Sequence, residues 1–177
     1  MIDIVTLEFA FGLLATVLIV TGMFLKTREN ILLLKLIADM SWVLAFAVQG
    51  AAAGTIAMVF TTVRTFFGRN YVDVKSIGLV LWCCSVVLTV YFWQGPYDVF
   101  SLIGLSFVTA AVYAKNPNTV KLFLIMTAIS WCFYGYFIDY LEIIIFETFI
   151  ILAGLIAMYR YRKSLKKEAV EQGKGGG

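Results

Sequence analysis

Seven long apolar runs divide the chain and constrain its fold more than any other feature. The runs lie at about residues 4–25, 30–49, 52–68, 76–94, 97–114, 120–138 and 142–160. Each is close in length to the about 20 apolar residues that a helix needs to cross a bilayer. Because 62% of the residues are hydrophobic and only 14% are charged, the chain lacks the polar surface of a water-soluble globule. We therefore expect an all-α integral membrane protein with seven transmembrane helices.

The basic residues lie beside alternate joints between these runs. All 14 Lys and Arg residues flank the first, third and fifth joints or follow the last run. The opposite joints carry acidic residues instead, among them Asp98, Asp139 and Glu142. By the positive-inside rule, this asymmetry predicts an outside N-terminus, a cytoplasmic C-terminus and an odd number of spans. The lipid bilayer is the first partner that we expect.

An internal repeat relates the first three runs to the last three. An offset of 89 residues places Lys26 on Lys115 and the pair Ser41 and Trp42 on Ser130 and Trp131. Because one span separates the two units, both have the same orientation, which predicts two parallel three-helix repeats joined by a linker helix (3+1+3). The predicted divisions are a first bundle at 1–68, the linker at 69–96, a second bundle at 97–162 and a disordered cytoplasmic tail at 163–177.

Several charged residues lie inside or at the ends of the apolar runs, among them Asp39, Glu147 and Arg64. Asp39 is near the middle of the second run, where a carboxylate costs about 2.5–3.5 kcal/mol and should face the bundle interior. It either binds a solute or a proton, or pairs with Lys35 one turn earlier on the same face. Glu147 is either a cavity residue or an interfacial one. Arg64 ends the third run, and we expect it to extend toward lipid phosphate.

Trp42 and Trp131 lie at matching depths in the two repeats, near the predicted midplane. If their helix faces point to the repeat axis, the two indoles line a central cavity from opposite sides. Aromatic walls suit ring-shaped solutes, although ordinary helix packing is an alternative. We predict a substrate-binding site in a central cavity, formed by Asp39, Trp42, Trp131, Tyr134 and Glu147.

The sequence carries no pattern typical of an enzyme or a metal site. It has no histidine, and its three cysteines show no CxxC spacing. A Ser-His-Asp set, a Gly-rich phosphate loop and an HExxH motif are also absent. We therefore expect no catalytic residues, no metal, no cofactor and no nucleic-acid partner. Whether the chain forms a homo-oligomer stays open.

Two stretches resemble the YgjV family of bacterial inner membrane proteins: MVFTTVRTFFGRN (58–70) and SWCFYGYFIDYLEIIIFETF (130–149). The resemblance covers about residues 5–165 and implies a multi-pass protein of the bacterial inner (plasma) membrane. The layout of two three-helix bundles and a linker is similar to that of SWEET sugar transporters and their PQ-loop relatives. This similarity implies a transporter or facilitator of a small solute, such as a sugar, a nucleoside or a vitamin-like molecule.

The chain departs from these relatives in ways that keep other functions open. It has no proline within a span and no Pro-Gln pair, and it has Ala45 and Tyr134 where a histidine can occur in the family. One alternative is a vitamin or nucleoside facilitator of the PnuC type, which has the same 3+1+3 layout. Another is a membrane sensor or partner subunit that transports nothing.

Overall fold

Seven α-helices make up the computed structural model, which describes residues 4–48, 52–71, 73, 75–93 and 95–174. In chain order they are α1 (Ile4–Met23), α2 (Arg28–Val48), α3 (Ala52–Asn70), α4 (Lys75–Tyr91), α5 (Asp98–Tyr113), α6 (Pro117–Phe137) and α7 (Leu141–Lys174). Each helix coincides with one predicted apolar run to within a few residues, apart from the longer α7. The prediction of an all-helical fold with seven helices is confirmed for the described residues.

Local sequence explains where α6 begins and ends. The Asn116 side chain caps its first turn by accepting a hydrogen bond from the Asn118 backbone N–H at 2.8 Å. Pro117 is the first helical residue, where its missing N–H is not needed. After α6, Asp139 adopts a φ of 56°, a left-handed conformation that Asp tolerates better than most residues. The chain thereby reverses into α7 within three residues.

The last helix is longer than the sequence predicts. α7 continues to Lys174, through residues 163–174, where the composition predicts a disordered tail. Lys and Glu make up half of this stretch and are good helix formers, which explains why the helix continues. Residues 175–177 of the predicted tail lie outside the described part of the chain.

Four helical segments of the described chain are long and apolar enough to cross a membrane: Thr6–Met23, Arg28–Val48, Pro117–Phe137 and Leu141–Tyr161. Segments Ser76–Tyr91 and Asp98–Tyr113 are apolar but shorter. Large apolar side chains such as Val80, Val87 and Leu155 are exposed on the outside of the bundle, as lipid-facing residues would be. The structure is therefore that of a membrane protein, and the count of seven spans stays a prediction.

Helix packing follows chain order within each half and then joins the halves. α2 packs against α1 and α3, and α6 packs against α5 and α7. Between the halves, α1 contacts α7, α3 contacts α5, and α2 approaches α6. α4 contacts α3 and α5. The two ends of the bundle differ in charge. We name the end with Lys26, Arg28 and Lys115 the basic end, and the end with Asp98, Asp139 and Glu142 the acidic end.

The basic end is tightly closed. A Cβ atom on Gly68 of α3 would lie only 2.0 Å from Cγ1 of Val112 on α5, so these two helices cross in close contact. Arg28 is 5% exposed there and donates hydrogen bonds to the backbone carbonyls of Gly68 (2.5 Å), Val112 (2.7 Å) and Ala114 (2.7 Å). One side chain thus links the start of α2 to the ends of α3 and α5.

Candidate functional site

A central cavity of about 280 Å³ lies between the two halves of the bundle. Every helix contributes at least one residue to its lining, including Ile19 of α1 and Leu88 of α4. All the predicted site residues line this one cavity: Asp39, Trp42, Trp131, Tyr134 and Glu147. The structure therefore brings together the whole predicted set, whereas substrate binding by these residues stays a prediction.

Aromatic rings form two sides of the cavity. On α2, the ring centroids of Trp42 and Phe46 are 6.0 Å apart. On α6, the rings of Trp131 and Tyr134 are perpendicular, with centroids 5.5 Å apart. The spacing of three or four residues places each pair on one helix face. Both indoles of the repeat-related pair consequently line the same space.

Each indole packs against a glycine of the preceding helix in its half. A Cβ atom on Gly12 of α1 would lie 3.3 Å from Cη2 of Trp42. A Cβ atom on Gly104 of α5 would lie 3.2 Å from Nε1 of Trp131. Larger side chains at either glycine would push the ring toward the cavity. Small residues on α1 and α5 thus set how far the aromatic walls project.

Asp39 is held by an ion pair within its own helix. Lys35 Nζ donates hydrogen bonds to Asp39 Oδ1 at 2.7 Å and to Oδ2 at 2.9 Å. Thr65 of α3 donates a third hydrogen bond to Oδ2 at 2.7 Å. Asp39 is 2% exposed and Lys35 is 5% exposed, so both charges depend on this pairing in place of water. The expected alternative of a Lys35 partner is therefore present, although both residues also line the cavity.

Arg64 does not reach the membrane surface, so the prediction of contact with lipid phosphate is wrong. Its side chain is 0% exposed, and Nη2 donates a hydrogen bond to Thr61 Oγ1 at 3.2 Å. Nε and Nη1 have no hydrogen-bond partner among the described residues. The face of α3 that carries Arg64 packs into the bundle, where the carboxylate of Asp39 interacts favourably with the guanidinium. Asp39 therefore offsets two buried cations, Lys35 and Arg64.

Glu147 lies on the cavity wall on α7. In the part of the chain that the structure describes, its carboxylate accepts no hydrogen bond, and its electrostatic partner is Lys35. This differs from Asp39, whose oxygens accept three hydrogen bonds. Of the two interpretations of Glu147, the structure gives the cavity position.

Sequence reasoning missed several polar residues of the cavity. Asp98, at the start of α5, is 6% exposed, and its Oδ2 accepts a hydrogen bond from the Gly95 N–H at 3.1 Å. Thr61 and Thr127 also line the cavity, and Thr65 holds Asp39 from just outside it. One sequence signal could have indicated Asp98. Ser101 lies three residues later on the same face of α5, and this polar face lines the cavity.

A smaller cavity of about 130 Å³ lies on the acidic side of the central one. Its lining includes Trp42 and the carboxylates of Glu8 and Glu142. Tyr140 donates a hydrogen bond to Glu8 Oε1 at 2.5 Å. Trp42 therefore lies between the two cavities, and the acidic end approaches the site on this side.

Comparison with curated proteins gives no match, and comparison with solved structures gives none either. The family model Imp-YgjV, described as a bacterial inner membrane protein, matches residues 6–165. The matched range contains the whole cavity lining and extends from α1 into α7. The chain therefore belongs to the YgjV family of bacterial inner membrane proteins.

Proposed function

We propose that the protein is a SWEET-like transporter or facilitator of small solutes in the inner membrane, and not an enzyme. The observation that carries the proposal is the central cavity, which is lined by all seven helices and contains the five residues singled out by the repeat and by their polarity. Cavities at the interface of two repeats are where transporters commonly bind their substrates.

The contacts between helices support a parallel 3+1+3 repeat. An axis that exchanges α1 with α5, α2 with α6 and α3 with α7 converts the α1–α7 contact into an α5–α3 contact, and both exist. The approach of α2 to α6 converts into itself. α4, the linker in this arrangement, has no counterpart and packs at the α3–α5 side.

The cavity lining supports the same axis at the level of residues. Several lining residues pair at an offset of 89 residues: Ile19 with Val108, Trp42 with Trp131, and Thr61 with Ile150. The charged lining residues have uncharged counterparts in the other repeat: Lys35 corresponds to Leu124, and Glu147 corresponds to Met58. A duplicated aromatic and apolar chamber with charges added in single copies is what this proposal predicts.

In the proposed membrane arrangement all seven helices span, with the basic end in the cytoplasm and the N-terminus outside. The contact of Gly68 with Val112 and the hydrogen bonds of Arg28 close the basic end. The cavity lining extends the other way, to Phe92 and Asp98 near the acidic end. This geometry favours a state that is closed toward the cytoplasm.

The proposal predicts solute uptake that depends on the aromatic wall. Purified protein in proteoliposomes should take up at least one member of a labelled panel of sugars, nucleosides, vitamins and amines. Trp131→Ala removes one wall and should lower that uptake about tenfold or more, equivalent to about 1.4 kcal/mol of lost binding. The matched control is Trp93→Ala, because Trp93 is 44% exposed beyond the end of α4 and does not line the cavity.

Two outcomes would contradict the proposal. One is a panel in which no member enters faster than into protein-free liposomes, although the protein is monodisperse and thermally stable. The other is uptake that falls equally in both tryptophan variants.

A second candidate is a sensor or partner subunit that binds a solute without moving it. The buried ion pair, the Arg28 contacts and the absence of prolines inside the helices favour it, since all three make the bundle rigid. A PnuC-type facilitator fits the same helix layout. Thermal stabilisation by nicotinamide riboside but not by sugars would select the PnuC-type function.

A further inference from the structure

The charged groups of the central cavity differ in how many hydrogen bonds they make. Four charged residues line it: Lys35, Asp39, Asp98 and Glu147. Lys35 uses its ammonium group for both oxygens of Asp39. Arg64 is off the cavity wall, next to Thr61 and with its charge offset by Asp39. Among the described residues of the cavity wall, the one ammonium group is therefore bound to Asp39, whereas the carboxylate of Glu147 accepts no hydrogen bond and feels Lys35 only at a distance.

The same cavity presents aromatic rings to a solute. Trp42, Phe46, Trp131 and Tyr134 all line it. An ammonium group within about 6 Å of such a ring gains about 0.5–2 kcal/mol, most of it where water is excluded. Apolar residues make up most of the remaining lining, for example Leu105, Val108 and Ile150. A carboxylate beside aromatic rings in an apolar chamber is suited to an organic cation.

The acidic end adds a favourable field on its side of the cavity. Asp98 lines the cavity there, and Glu142 and Asp139 are exposed at the acidic end of the bundle. All 14 Lys and Arg residues flank the first, third and fifth joints or follow the last apolar run, which places them on the side of the basic end. A surface of one sign raises the local concentration of solutes of the opposite sign and excludes like charges.

We propose that the central cavity binds a small organic cation, an amine or ammonium group on a flat ring, with Glu147 pairing the positive charge and Trp42 and Trp131 holding the ring. The cavity volume of about 280 Å³ limits the ligand to about one ring with a short side chain. The inference rests on the proposed function for the movement of the cation, but its binding is independent of transport.

Three small ligands of similar shape but different charge test directly whether the cavity prefers a cation. Isothermal titration calorimetry on the detergent-solubilised full chain should detect 2-phenylethylammonium binding about tenfold or more tighter than 2-phenylethanol, and phenylacetate should bind more weakly still. Equal binding of the cation and the alcohol, or tighter binding of phenylacetate, would overturn the inference. This comparison needs no variant.

A matched pair of variants assigns the preference to one carboxylate. Glu147→Gln should reduce the preference for the cation over the alcohol to less than about threefold, and Glu147→Asp should retain part of it. Glu29→Gln removes the same charge at the exposed start of α2, outside both cavities, and should keep the full preference. A preference that survives Glu147→Gln, or that is lost equally in both glutamine variants, would overturn the role of Glu147.

Transport of the same probes separates this inference from the proposed function. Binding of 2-phenylethylammonium with no uptake into proteoliposomes would support the cation site and contradict the transporter. Uptake of a neutral sugar or nucleoside without binding of the cation would support the transporter and contradict the cation site.

Discussion

Replacing Arg28 with alanine should lower the free energy of unfolding by about 3–5 kcal/mol. Its guanidinium donates hydrogen bonds to the carbonyls of Gly68, Val112 and Ala114 at 2.5–2.7 Å. The carbonyls of Gly68 and Val112 belong to the last turns of α3 and α5, where carbonyl groups have no partner within the helix, and Ala114 is the residue that follows α5. Alanine would leave them buried without donors at about 1–3 kcal/mol each. A cation at the negative ends of two helix dipoles adds to the loss.

The loss should appear as a lower midpoint of unfolding in mixed detergent micelles. Arg28→Lys keeps the charge but cannot reach the same set of carbonyls, so it should lose an intermediate amount. Lys26→Ala, an exposed neighbour at the same end, should change stability by less than about 0.5 kcal/mol. Stability of Arg28→Ala within about 1 kcal/mol of the unaltered protein would show that these hydrogen bonds do not hold the basic end together.

Replacing Asp39 with asparagine should lower the free energy of unfolding by about 3–5 kcal/mol, because it removes the carboxylate that offsets the buried charges of Lys35 and Arg64. Lys35→Met should cost less, because Asp39 would keep the Thr65 hydrogen bond and the attraction of Arg64. The double variant Lys35→Met with Asp39→Asn should be more stable than Asp39→Asn alone. It should not recover fully, because Arg64 stays uncompensated.

The double-mutant cycle decides what Asp39 does. If the pair is mainly structural, the two single losses should be non-additive by about 1–3 kcal/mol. Additive losses would contradict the ion pair as the source of the effect. If Asp39→Asn kept full stability but lost solute binding, Asp39 would be a solute ligand and its contact with Lys35 incidental.

Some features of the site follow from sequence patterns because they depend on one helix at a time. Trp42 and Trp131 share a depth through the repeat, and helical periodicity gives the face on which each lies. Lys35 can meet Asp39 because they are one turn apart. Those positions were predictable, and the cavity contains them all.

Other features depend on how helices pack and could not be predicted from the sequence. Arg64 lies near a joint, like a surface residue, and only the packing of α3 against α2 and α5 buries it. Arg28 resembles an ordinary basic loop residue until the ends of α3 and α5 are brought together beside it. In the sequence, Asp98 resembles an exposed residue of a joint. Its burial is visible only once the helices pack around the central cavity.

The most direct test of the proposed transport path is whether the central cavity can be reached from both sides of the membrane. Thr127 lines the cavity on α6, so Thr127→Cys can report on it in a background where Cys83, Cys84 and Cys132 are replaced by serine. A membrane-impermeant thiol reagent is applied to right-side-out and to inverted vesicles. Leu155→Cys, on the exposed apolar surface of α7, is the control that should react from neither side.

The account predicts that Thr127→Cys reacts from both sides, faster from the acidic end because Arg28 and the Gly68 contact close the basic end. Replacing Arg28 with alanine should reduce the difference between the reaction rates from the two sides. Reaction from one side only, in protein whose Leu155→Cys control stays unmodified, would contradict a solute path through the cavity.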